Sequence, residues 1–165
     1  MQPKTIKERL KEGQQLQRAF LNADTSLKMR NYRLTKRVKI TLQQPQSYFV
    51  TFTIDNKHIG LKRETFRRKV KETLRSIASL YIANDDYGSK NNRYHLHALV
   101  GSLSKIDYTT AYNTWQYGTI DFQPITTKEA LRIKNYITKL TLHATKETAR
   151  DLIYSRGFTQ YETLS

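Results

Sequence analysis

Cysteine is absent from this 165-residue chain. That excludes disulfides, thiolate zinc sites and cysteine nucleophiles, and leaves histidine and carboxylate as the strong metal ligands. Apolar residues make up 38% of the chain, and no run approaches the ~18 consecutive apolar positions of a membrane span. The opening MQPKTIKERLKEG contains no apolar signal-peptide core, so a soluble, intracellular protein is expected. Only six glycines occur, scattered, and no GxxxxGK(S/T) phosphate loop is formed, which excludes a built-in helicase or ATPase. Acids are scarce: 14 stand against 29 Lys plus Arg, for a formal net charge of +15. A domain so basic expects a polyanionic partner, nucleic acid ahead of a ribosomal or membrane surface.

The length suits one domain with a modest core, and no internal repeat is present. Residues 1–45 hold eleven Lys/Arg against three acids and read as a basic N-terminal extension with one or two helices, weakened at Gly13. The remainder, 46–165, reads as a single working domain. YFVTFTID, 48–55, is rich in aromatic and β-branched residues and predicts a buried strand. Phe66, Val70, Leu74, Ile77 and Leu80 recur at helical spacing, while Arg63, Arg67, Lys71 and Arg75 share the other side, predicting an amphipathic helix over 62–79. A strand over 80–86, a polar turn and the alternating RYHLHALV, 93–100, predict a hairpin. A helix over 107–114, a strand over 115–125 and a helix over 127–142 complete the order β, α, β, β, α, β, α. A short tail containing DLIYSRGF follows. That order predicts an α+β fold, a central antiparallel sheet with flanking helices on one face, of the ferredoxin-like or RRM-like kind.

His95 and His97 lie two residues apart on a predicted strand, so both imidazoles project from one face roughly 7 Å apart. Tyr94, Leu96, Ala98 and Val100 face the other way, toward a core. Taken alone, a strand histidine pair is more often ordinary than metal-binding. Asp86 lies nine residues before His95 and comes alongside it across the hairpin. Alternation favours Asp86 over Asp85, whose own plain reading is the opposite face, as Asp86's is a turn cap. Two nitrogens and a carboxylate leave positions open for phosphate oxygens, and the fitting ion is Mn²⁺ or Mg²⁺ acting as a Lewis acid on a phosphodiester. Tyr136 and Lys139 sit at i and i+3 of the last predicted helix, on one face. One is a potential nucleophile and the other a cation for the phosphate. Against this stands the abundance of tyrosine, eleven in all, most of which must pack a core edge.

The ordered set YFVTFTID, DYGSKNNRYHLHALV, WQYGTIDF and NYITKL resembles the HUH endonucleases, in particular the single-tyrosine rolling-circle replication initiators (Rep proteins) of small phages, viruses and plasmids. The likeness covers roughly 48–140. In that family an apolar strand ending in a polar residue comes first, matched by Phe49 to Asp55, and His-hydrophobe-His second, matched by His95, Leu96 and His97. An acidic residue before an aromatic and glycine often gives the third ligand. Asp86, Tyr87 and Gly88 match it, where the family more often has Glu or Gln. Tyr-x-x-Lys falls on Tyr136 and Lys139.

The resemblance implies a metal-dependent nuclease that binds single-stranded or hairpin origin DNA in the cytoplasm of a bacterial host. Tyr136 would form a covalent 5′-phosphotyrosine and free a 3′-OH to prime synthesis by host helicase and polymerase. The position one turn beyond Tyr136 is Leu140 rather than a second tyrosine, so strand joining calls for a second protomer in a homodimer, or another molecule.

Two other readings share the features. A transposase of the IS200/IS605 kind or a relaxase would use the same residues on different DNA, and WQYG with the upstream acidic pattern favours an initiator. A non-enzymatic RRM-like module binding single-stranded DNA or RNA fits the charge and the tyrosines, yet gives no role to His95, His97 and Tyr136 in that order. The cations of the 62–79 helix, Arg63, Arg67, Arg68, Lys71 and Arg75, read as an exposed helix face at least as well as a track for DNA backbone. Trp115 and Tyr117 read as packing before base stacking. His58 and His143 match no motif.

Overall fold

The structure, a computed structural model, describes residues 6–87, 94–126, 129 and 152–162, and for Asp86, Tyr87, Glu162 and parts of the first helix the backbone alone. Two compact units are present, Met1–Thr35 and Lys36–Ser165. The first is helical from Ile6 onward. This helix, α1 (Ile6–Leu42), is continuous, and its last turns belong to the second unit. Most of the stretch read as a basic extension is therefore one helix that runs through Gly13, a position where glycine costs about 1 kcal/mol relative to alanine.

The second unit is an α+β fold. Strands β1 (Gln46–Ile54), β2 (Leu80–Tyr87), β3 (Tyr94–Ser102), β4 (Gly118–Pro124) and β5 (Ile153–Tyr154) form one sheet in the order β4-β1-β3-β2-β5, every pairing antiparallel. Helices α2 (Arg63–Ile77) and α3 (Tyr108–Thr114) connect β1 to β2 and β3 to β4, so the first four strands follow the split βαβ order of ferredoxin-like sheets.

Alternation decides which residues the helices cover. On β1, Tyr48, Val50, Phe52 and Ile54 are buried while Phe49, Thr51 and Thr53 between them are half-buried. On β3, Leu96, Ala98 and Val100 join the same core, which Phe66, Val70, Leu74 and Ile77 of α2 close from above. Those four recur on one stripe of α2, and full burial of a side chain such as Phe52 or Phe66 contributes about 1.5–3 kcal/mol. Trp115 packs edge-on to Phe52 and Phe66 at 5.2 and 5.3 Å, and Tyr117 packs on Trp115 at 5.5 Å. Packing is thus the role the structure gives Trp115. Helix α3 begins at Asp107, whose carboxylate accepts from the N–H groups of Thr109 and Thr110 at 2.9 and 3.3 Å.

The opposite face is not bare. A Cβ at Gly101 of β3 would lie 2.8 Å from Gln44 Cγ and 2.9 Å from the Thr41 carbonyl oxygen, so the end of α1 rests on that face. The tail after β5 covers the neighbouring start of β2, since a Cβ at Gly157 would lie 3.1 Å from a Leu80 methyl. Arg37 stacks its guanidinium 4.2 Å over the Tyr154 ring and 5.6 Å over Phe158. Leu80, Ile82 and Leu99 of this face are fully buried together with Val38 and Phe158. Helices on one face only, as the element order suggests, therefore understates the architecture.

The helix expected over 127–142 lies outside the described residues except for Glu129, which is helical. Its carboxylate accepts from the Thr126 N–H at 3.1 Å and the Thr126 hydroxyl at 2.9 Å, as a helix-start box does. Among the described residues no helix is long and apolar enough to cross a membrane.

Candidate metal centre

His95 and His97 fall on the face of β3 that turns away from α2, because Leu96 and Ala98 between and beside them are committed to the core. Toward the Gly101 end this face is sealed by α1 and the tail. Beyond that cover, the half-buried residues of this face on β1 and β3 are mostly polar.

Directly opposite His97 and His95 on β1 stand Thr51 and Thr53. The Thr51 hydroxyl is hydrogen-bonded to His97 Nδ1 at 3.1 Å and the Thr53 hydroxyl to His95 Nδ1 at 2.9 Å. The two imidazoles lie 20° from parallel with centroids 6.4 Å apart, and Phe49 stacks on His97 at 5.3 Å and 18°. All four polar side chains are half-buried. On the other flank, Asn84 pairs with His97 and Asp86 with His95. Asn84 is 8% exposed, and its carbonyl oxygen accepts from the Asp85 N–H at 2.9 Å. Farther out, Asp121 and Thr119 of β4 stand opposite Thr51 and Thr53.

Asp85 is committed elsewhere. Its carboxylate accepts from Arg63 Nε at 2.8 Å and pairs with the Arg63 and Arg67 guanidiniums, and its side chain is 8% exposed. Tyr94 shares this environment: burial first, and the Asp85 carboxylate second, push its phenol well above the ordinary tyrosine range. Arg63 and Arg67 of the basic helix are therefore anchors of β2. Arg68 pairs with Glu72 at 3.1 Å along the helix, an exposed-face arrangement. His58 also has a structural partner, Asp55 at the end of β1, at 2.7 Å. Desolvation works against the ionised form of Asp55, but the hydrogen bond and charge of His58 outweigh it and hold the carboxyl below its ordinary value.

Among the described residues no three metal-ligating side chains form a group. The structure brings together the two histidines and, by strand register, the position of Asp86, whose side chain is outside the described set. Tyr136 and Lys139 also lie outside the described residues. Thr51 and Thr53 are the members of this cluster that sequence reading passes over. In a strand of aromatic and β-branched residues a threonine is unexceptional, and only the register assigns each one a histidine.

No family model and no curated protein matches the chain. Among solved structures it is similar to the crystal structure of the hypothetical protein ORF119 from Sulfolobus islandicus rod-shaped virus 1, at a TM-score of 0.46 and 17% identity, over 68% of this chain and 97% of that chain. At that distance the likeness says nothing of function.

Proposed function

We propose that this chain is a metal-dependent, single-tyrosine DNA-nicking enzyme of the HUH kind, acting on single-stranded or hairpin origin DNA to start rolling-circle replication. The observation that carries the reading is the imidazole pair on one sheet face, each ring held by a threonine through Nδ1. A ring held through Nδ1 turns Nε2 toward a ligand, the arrangement that second-shell partners impose on metal-binding histidines. His95, His97 and Asp86 would hold the ion, and this N, N, O donor set suits Mn²⁺ or Mg²⁺. Such an ion, when bound, would supply positive charge to the phosphodiester oxygens.

Tyr136 is the nucleophile. Its phenol oxygen, on losing its proton, bonds to phosphorus, the bond to the 3′-oxygen breaks, and that oxygen takes a proton to leave as a 3′-OH. The 5′-phosphate stays on the tyrosine. A phenol with an ordinary pKa of ~10 needs help to attack, and Lys139, three residues on in the sequence, supplies a cation for the phosphate. The charge of +15 suits the polyanion. Host helicase and polymerase would extend the 3′-OH, and a transposase or relaxase would differ in the DNA cut rather than in these steps.

A second reading has its own support. Phe49 stacked on His97 makes a platform of rings that would suit unpaired bases in a non-enzymatic RRM-like module. Labelled single-stranded oligonucleotides carrying hairpins of the source genome, incubated with the protein and Mn²⁺ or EDTA, separate the two. Metal-dependent nicking that disappears in Tyr136→Phe is expected. Tight binding with no cleavage under any metal would favour the platform, and nicking confined to transposon ends would favour a transposase.

A further inference from the structure

Thr51 and Thr53 make the same contact twice. Each stands opposite a histidine in the β1–β3 register, and each meets that ring at Nδ1, at 3.1 and 2.9 Å. Threonine is stiff about χ1, so a threonine in a strand offers its hydroxyl in few directions, and repetition at i and i+2 presents both hydroxyls to the same face. A hydroxyl can either donate to or accept from an imidazole nitrogen. The choice decides what the site binds. If the hydroxyl accepts from Nδ1–H, the ring's lone pair is on Nε2, the form that can take a cation. If it donates to Nδ1, the proton sits on Nε2, which then offers a donor to an anion.

We infer that Thr51 and Thr53 are positioning residues that accept from Nδ1–H of His97 and His95, fixing both rings in the tautomer whose Nε2 lone pairs receive a divalent cation. The inference deepens the metal reading above and rests on it for the cation, but not for the tautomer. It also assigns the shared geometry to the sheet: the two rings are set by β1, an element that brings no metal ligand of its own. A ring left to rotate about χ2 would present either nitrogen, so loss of a threonine lowers affinity without removing a ligand.

The test uses the full chain without metal. Long-range ¹H–¹⁵N spectra of the imidazoles, at a pH where the rings are neutral, are expected to show both His95 and His97 as Nδ1–H. Thr53→Val should release His95, and Thr51→Val His97, toward a mixed or Nε2–H form, with the backbone amide spectrum reporting that the fold is kept. Mn²⁺ affinity, read by titration calorimetry or by paramagnetic broadening, should fall about 10- to 100-fold in each valine variant. Thr51→Ser and Thr53→Ser, which keep the hydroxyl, should stay near the starting affinity. Wild-type rings found as Nε2–H, or tautomers indifferent to the valine substitutions, would overturn the assignment. Rings found as Nδ1–H in a protein that binds no Mn²⁺ would uphold the threonines' role and sink the metal reading instead.

Discussion

Asp85 and Asp86 are adjacent in the chain and occupy register positions on opposite faces of β2. Asp85 joins Arg63 and Arg67, whose side chain is 15% exposed, so replacing Asp85 by alanine leaves a largely buried guanidinium without its carboxylate. Asp85→Ala is expected to cost about 3 kcal/mol in urea unfolding, at the low end for a broken buried pair because Arg63 keeps some solvent. A loss under about 1 kcal/mol would mean that the pair acts as an exposed one.

Tyr94 gives the same cluster a pH signature. Its pKa in the folded chain is raised by burial and by Asp85, so the folded state holds the proton more tightly than the unfolded state does. The resulting stability is whole below the unfolded pKa near ~10 and drains away as pH rises beyond it. Unfolding midpoints measured on either side of about pH 10 should therefore drop more for the wild type than for Tyr94→Phe. Equal drops would place the phenol in water. At this scale the sequence already separates the two aspartates and pairs the two histidines, because a strand has period two. It hides the arginines' partner and the threonines' role, since both depend on which strands and helices become neighbours.

The elements from β1 to β4 are legible in the sequence for a physical reason: each buries one face, and burial imposes a period. Phe66, Val70, Leu74 and Ile77 spell out α2, and Tyr48, Val50, Phe52 and Ile54 spell out β1. The tail does not, because β5 has two residues, Ile153 and Tyr154, too few for any period. Its anchor is nevertheless firm. Phe158 is 2% exposed and lies beneath the Arg37 guanidinium, so Phe158→Ala is expected to cost about 3–5 kcal/mol and to loosen the cover over Leu80 and Ile82. Amide exchange in β2 and β5 that stays slow in the variant would show the tail to be dispensable.

β4 depends on a different device. Gly118 has φ +155°, and a Cβ there would fall 2.0 Å from the Thr53 carbonyl oxygen, so only glycine lets β4 close on the end of β1 beside the threonine that holds His95.

For the whole molecule, the charge and the site make separate predictions. Binding of a single strand that neutralises about five phosphates should weaken about 100-fold between 50 and 200 mM salt, and this slope should survive Tyr136→Phe. A flat salt response would point to a partner that is not a polyanion. The proposed metal site would draw on β1, β2 and β3 together, while the proposed nucleophile belongs to a segment beyond β4, so nicking would require Tyr136 and the histidine face to meet on one phosphate. That requirement is legible only as an order of motifs, because no periodicity in the sequence links Tyr136 to a strand face some forty residues earlier.

Its most direct test is chemical. The protein is incubated with a cleavable single-stranded oligonucleotide and Mn²⁺, digested with trypsin and nuclease, and its peptides are weighed. A nucleotide phosphate is expected on peptide 135–139, borne by Tyr136 and absent when His95 and His97 are both replaced by alanine. A phosphonucleotide on any other residue, or one that persists in that double variant, would contradict it.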